Sequence, residues 1–352
     1  MLNQTEQTLP ADKTFAGSSG TERFIDHLQW HQNKREVHHP FWIIVQKEIS
    51  DHVRSWRFII LVGIIALTCI GSMYTALTDF NQAVKPNDPD NAFFFLKLFT
   101  ISDGTLPSFF VFISFLGPLL GISLGFDAIN SEQNRGTLSR VLAQPIHRDY
   151  VINAKFTGAL IVISVMLFAL GFLTMGLGLI TIGIPPTAEE FIRMVFFILL
   201  SIIYVAFWLN LSILFSVKFR QPATSALAGI AVWLFLTVFY PMIVNLITKA
   251  LAPPQMDISA PPPIGLEEFR LTLMRFLPNQ LYSDATTTLL MPSVRSLGPL
   301  TMEQVYGTIP GPLPLGQSLL IVWPQVTGLV AATILCFVLS YIPFMRREIR
   351  SR

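Results

Sequence analysis

An all-α membrane protein is the fold class this sequence predicts, and three observations carry the prediction. Hydrophobic residues make up 52% of its 352 residues and charged residues 13%, where soluble domains carry roughly 25% charged. Six apolar runs each reach the roughly 20 residues that a bilayer crossing needs. Lys and Arg gather in alternate connections between those runs, the asymmetry that orients helical membrane proteins. A net charge of +2 gives no strongly basic surface, which argues against a nucleic acid partner. Cys69 and Cys336 both lie inside apolar runs, so the sequence offers neither a disulfide framework nor a metal-ligand spacing.

Residues 1–40 are polar and are expected as a flexible cytoplasmic tail, because they cannot bury enough apolar surface to order themselves. They lack the basic start and short apolar core of a cleaved signal peptide, so the first span is expected to act as its own targeting signal. The patch of His31, His38 and His39 is read as solvated rather than metal-ligating. Residues 41–57 predict an interfacial helix, with Pro40 suited to a first turn. Phe41, Ile44, Val45, Ile49, Val53 and Trp56 fall near one helical face, and Lys47, Glu48, Asp51 and Arg54 on the other, with Arg57 just beyond.

The spans are predicted at 58–77, 106–126, 156–184, 195–217, 223–247 and 319–345. The second holds Pro107, Gly117, Pro118, Gly121 and Gly125; such breaks survive in lipid only where neighbouring helices cover the backbone. This helix is therefore expected to be packed on several sides and kinked. The third run is longer than a crossing needs and should tilt or continue past the lipid. Cytoplasmic placement follows for the leader, for the connection with Arg135, Arg140, Arg148 and Lys155, for Lys218 with Arg220, and for the basic tail 346–352. The alternate connections are acidic or mixed: Asp79, Asp88, Asp90 and Asp103 outweigh Lys85 and Lys97, and Glu189 with Glu190 outweigh Arg193. Both termini are thus expected inside. The large connection at 248–318 has proline-rich edges around two helical patterns. In the first, Leu266, Phe269, Leu273, Phe276 and Leu277 line one face, which predicts a small helical external cap between spans five and six.

No phosphate loop, zinc-binding helix pair or nucleophile elbow occurs, so no catalytic residue and no metal site is assigned. All six predicted spans lack Asp, Glu, Lys, Arg and His, the groups that ion-driven transporters use as relays and ligands. If the protein does uphill work, the energy is expected from another subunit. The polar residues within the spans are mild and suit helix-to-helix hydrogen bonds. Pathway lining is the alternative, for which Ser123, Asn210 and Gln325 are the candidates.

The most informative stretch is 125–148, between spans two and three. Ile129, Leu138, Val141 and Leu142 can share a helix face, leaving Glu132, Gln133, Arg135 and Arg140 outward. Gly136 permits a turn or close approach and Pro145 ends the segment. A short amphipathic helix at about 128–145, lying along the membrane surface, would suit a groove on a partner.

Three motifs carry a resemblance. They are Ile129-Asn130-Ser131-Glu132 with Arg135-Gly136-Thr137-Leu138, Leu142-Ala143-Gln144-Pro145, Arg148 and Lys155; the leader Gln46-Lys47-Glu48-Ile49 with Asp51, Arg54 and Arg57; and Leu277-Pro278-Asn279-Gln280-Leu281-Tyr282 before the last span. Over residues 41–347 the chain resembles permease subunits of ABC-2 type ABC transporters. Within them it looks most like those of nitrous-oxide-reductase maturation and gliding motility. The resemblance implies a six-helix half-transporter in a prokaryotic inner membrane, pairing with itself or a sister permease. Two cytoplasmic ABC ATPase subunits would power it, so ATP and magnesium would be held by the partner and no cofactor by this chain. It also implies that the loop after span two is a coupling helix, with Asn130, Glu132, Arg135, Gly136, Thr137, Leu138, Leu142, Pro145 and Arg148 meeting the ATPase. Lys47, Glu48, Asp51, Arg54 and Arg57 would form a second contact and a lever. Export is the expected direction. A signalling or mechanical complex, whose external cap engages an extracytoplasmic protein without solute flux, stays open beside it.

Overall fold

The computed structural model describes residues 40–78, 93–102, 106–144, 146–183, 185–252, 263–298 and 311–346. The expected tail at 1–39, Pro145, the proline-rich edges at 253–262 and 299–310 and the basic tail beyond Arg346 lie outside them. Among the described residues every regular element is helical, and six helices are long and apolar enough to cross a membrane.

The chain enters through α1 (Pro40–Val53), and after a break at residues 54–55 continues into α2 (Trp56–Thr78), the first span. Ser55 Oγ accepts the Phe58 amide at 3.2 Å and so caps the start of α2. A short helix, α3 (Phe94–Thr100), precedes α4 (Phe109–Gly125), the second span. Two small helices follow, α5 (Asn130–Asn134) and α6 (Thr137–Leu142). The third and fourth spans are α7 (Arg148–Ile182) and α8 (Ala188–Lys218), the latter opened by a capping box of Thr187 and Glu190. The fifth is α9 (Pro222–Leu234), a π-helical stretch Phe235–Phe239 and α10 (Tyr240–Leu251). Then come α11 (Ile264–Met274), α12 (Pro278–Leu290) and the last span α13 (Leu315–Arg346).

The central post is α8, with 72% of its most apolar window buried, against 17% for the fifth span and 22% for the first and last. It packs on α4 along one side and α13 along another. The glycines of α4 allow the first of these contacts. A Cβ on Gly121 would lie 2.7 Å from the Val205 carbonyl oxygen and 2.9 Å from the Leu209 nitrogen, so the two backbones approach where only hydrogen fits. The expectation that this helix is covered on several sides is met; Pro118 lies buried within a helix that runs on to Gly125.

The connection after the fifth span is helical, and its second helix goes further than a cap. Tyr282 of α12 stacks on Tyr204 of α8 with ring centroids 4.4 Å apart, and its hydroxyl meets Ser201 Oγ at 2.8 Å. Ser114 Oγ of α4 donates to Asn279 Oδ1 at 2.7 Å. Ser201 lies roughly 20 Å along α8 from Ala188, at about 1.5 Å per residue. The α12 helix therefore dips back among α4, α8 and α13. Of the face predicted on α11, Leu273 and Leu277 pack against Val244 and Tyr240 of α10, whereas Phe269 and Phe276 stay exposed.

At the same end of α8, Arg193 is fully buried. Its guanidinium donates to the Leu289 carbonyl at the end of α12, to Ser318 Oγ at the start of α13 and to the Leu313 carbonyl, at 3.2, 3.1 and 2.6 Å, and pairs with Glu189 at 2.8 Å. One side chain thus ties α8, α12 and α13 together. The sequence predicts Arg193 as part of a charged connection. The structure buries it instead, because its planar fork finds an acceptor for nearly every donor.

Candidate functional site

At the opposite end from Arg193, the segment predicted as a coupling helix is two short helices rather than one. Gly136 stands between them at φ +69°, a left-handed conformation that an L side chain adopts only with strain. A Cβ there would meet nothing within 4 Å, so the turn faces open space. Its base is fixed by polar bonds. The amides of Ile129 and Asn130 both donate to Ser216 Oγ of α8, at 2.9 and 3.2 Å, and Asn130 Nδ2 donates to the Phe126 carbonyl at 3.1 Å. Asn134 Nδ2 reaches the Arg220 carbonyl at 2.9 Å, and Thr137 Oγ1 the Glu132 carbonyl at 3.1 Å. Ile129 and Leu138 bury their side chains beneath.

A five-residue charge network holds this segment to α1 and α7. Lys155 Nζ, with 5% of its side chain exposed, lies 3.0 Å from Glu48 Oε1 and 2.9 Å from Glu132 Oε1. Lys47 Nζ bridges the same two oxygens from outside, at 3.1 and 3.3 Å, and lies 3.4 Å from Asp51. Arg57, at the head of α2, donates to Asp127 Oδ2 at 2.7 Å and lies over the Phe126 ring. Burial alone would raise the Glu48 pKa, but Lys155 and Lys47 outweigh it and hold the carboxyl below its ordinary range. Burial would likewise lower that of Lys47, and Glu48 with Glu132 outweigh it and raise it. Burial lowers the pKa of His52, against the pull of Glu48, Asp127 and Asp51.

A cavity of about 540 Å³ opens between α1 and the coupling segment. Its lining includes Lys47, Ser123, Asp127, Glu132, Arg135, Thr137, Arg140 and Lys155.

The sequence-predicted residues therefore divide. Arg135, Gly136, Thr137 and Arg140 are exposed on the turn, and Leu142 and Arg148 are half-buried. Asn130 and Leu138 are buried, and Glu132 points inward to Lys155 instead of outward. Glu48 is likewise buried, not on an outer charged face as α1's periodicity suggests. Both corrections have one cause. Lys155 projects from α7 between two carboxylates, and pairing makes their burial tolerable. Lys47 and Asp51 are solvent-exposed, as are Arg54 and Arg57. Ser123 lines the cavity. Asn210 and Gln325 do not join it. Asn210 is buried between α8 and α13, donating to the Thr333 carbonyl at 3.3 Å, and Gln325 is buried in α13. Sequence reasoning placed Lys155 in the motif without its buried pairing, and missed Asp127, His52 and Ser216 as parts of the site. Only Lys155 left a signal, as an isolated cation at the head of an apolar run. Among the described residues no cluster of His, Cys, Asp and Glu could hold a metal ion.

Over 203 residues the chain is 27% identical to a probable ABC transporter permease protein NosY of Stutzerimonas stutzeri, covering 56% of this chain and 67% of the relative. A protein of the same name from Pseudomonas aeruginosa is 22% identical over 201 residues, with the same shares. The family described as ABC-2 family transporter protein matches residues 42–349. With that match over most of its length and six helices able to span a membrane, the chain belongs to the ABC-2 transporter family, as a multi-pass permease of an ABC transporter.

Proposed function

We propose that this permease is the membrane half of an exporter, driven by cytoplasmic ATPase subunits that grip the Arg135-Gly136-Thr137 turn. Family membership brings an ABC ATPase and a permease dimer with it. ATP and magnesium are held by the ATPase, and the second permease is another copy or a sister chain. The membrane is a prokaryotic inner membrane, with both termini in the cytoplasm and lipid around the spans. The observation that carries this reading is an exposed turn with a stiff base. Its tip meets open space, while its root is tied to α1, α7 and α8 through Lys155, Lys47 and Ser216. A push on the tip therefore moves three elements together, including the interfacial helix. Three ionic contacts between elements, Glu132 to Lys155, Glu132 to Lys47 and Glu48 to Lys155, with two amide bonds, resist shear better than an apolar contact, which slides.

The permease alone should hydrolyse no ATP. Gly136→Val should strain the turn while colliding with nothing, so the purified variant should keep its helix content and lose capture of its ATPase. Undiminished capture and ATP turnover would remove the turn from the contact.

A second reading, an extracytoplasmic protein partner engaged without solute flux, is favoured by one observation: Phe269 of α11 and Phe276 just beyond it are exposed. Replacing both with Ser should release such a partner, and the intact permease with its ATPase should move no solute, if this reading is right.

A further inference from the structure

The internal pairing leaves an uneven charge on the coupling turn. Its acidic residues are withdrawn: Glu132 into Lys155 and Lys47, and Asp127 into Arg57. Arg135 and Arg140 are exposed, line the mouth of the 540 Å³ cavity, and have no carboxylate partner among the described residues. Lys218 and Arg220, at the end of α8 beside Asn134, are exposed too. Any partner that seats on this turn meets a cationic rim. From this we infer that the ATPase surface gripping the turn is acidic, and that it places carboxylate side chains in the cavity mouth against Arg135 and Arg140.

The inference rests on the turn being the ATPase contact. A protein fits the cavity better than anionic lipid headgroups do. On α1, the exposed Trp42 and Val53 lie about 120–180° around the helix from Lys47 and Asp51, which face the cavity. The side of α1 suited to acyl chains therefore points away from the arginines. Gln144, exposed just after α6, offers hydrogen-bonding groups suited to another protein. The lining also carries Asp51 and Asp127, so an incoming acid has one direction of approach, toward Arg135 and Arg140.

The test uses the purified permease with its own ATPase in detergent, with affinity measured across a salt series. Arg135→Gln with Arg140→Gln should weaken binding about tenfold or more at low salt and flatten the salt dependence, because screened ion pairs are lost. In parallel, Thr137→Cys carrying a photo-crosslinker should bond to the ATPase. Crosslinking with unchanged affinity and salt slope keeps the contact and overturns the acidic surface. Absence of crosslinking defeats the contact and the inference with it. If the arginine pair changes only binding to vesicles of phosphatidylglycerol, the rim belongs to lipid and the inference is overturned.

Discussion

Lys155 is the residue on which the junction of α1, α5 and α7 turns. Glu48 and Glu132 place their Oε1 atoms within 3.0 Å of the same ammonium. Removing the cation leaves two carboxylates facing each other with only the exposed Lys47 to neutralise both. Lys155→Met should therefore cost about 2–3 kcal/mol, somewhat below the roughly 3–5 kcal/mol for breaking a fully buried pair, because Lys47 remains. A lowered thermal midpoint of the purified permease reads this out. Adding Glu48→Gln and Glu132→Gln should recover most of it, since no charge is then left without a counter-ion. The same place responds to acid. His52 faces Glu48 and Asp51 on its own helix and Lys155 and Asp127 from its neighbours. Its folded pKa is depressed below the ordinary 6.5, so the stability it contributes is present above that value and is lost as pH falls through the folded pKa. Glu48, depressed from 4.5, loses its contribution only at still lower pH. The thermal midpoint should fall on acidification from pH 7 to about 5, and His52→Gln should flatten that part of the curve while sparing the drop below it.

At the scale of elements, the spans were legible because apolar length is a coarse signal that tertiary packing rarely overrides. The glycines of the second span also read correctly, as a helix covered by others. Gly121→Ala should cost roughly 1–3 kcal/mol, since the new methyl meets α8 backbone, which has no rotamer to give. Gly63→Ala in α2, where nothing lies within 4 Å, should be neutral or slightly stabilising; equal effects at both positions would refute the close packing of α4 on α8. Two things were not legible. A helical repeat places Glu48 and Glu132 on polar faces, but it cannot see a lysine 107 and 23 residues away respectively. Nor does the sequence around Tyr282 say that α12 turns back among the spans. Its moderate polarity, with Asn279, Asp284 and three threonines, suits an exposed helix as well. Burial is helped because Ser201, Ser114 and the helix's own Tyr282 carbonyl satisfy Tyr282, Asn279 and Thr286.

At the scale of the whole molecule, two tied ends flank an ion-poor bundle. Arg193 fixes α8, α12 and α13 at one end. The Lys155 network fixes α1, α5 and α7 at the other, and Ser216 of α8 holds the start of α5. Since α8 runs between both ends, movement imposed on the coupling turn has a continuous path to the re-entering helix. The fold class and the family were readable from composition, charge placement and the coupling motif. The division of that motif into an exposed tip and an internally paired root required the tertiary contacts. The measurement that tests this account most directly is labelling of Thr137→Cys with a membrane-impermeant maleimide, in inverted and right-side-out vesicles, with and without the ATPase. Labelling confined to inverted vesicles and blocked by the ATPase is the predicted result. Labelling from the outside, or labelling that the bound ATPase leaves unchanged, would contradict it.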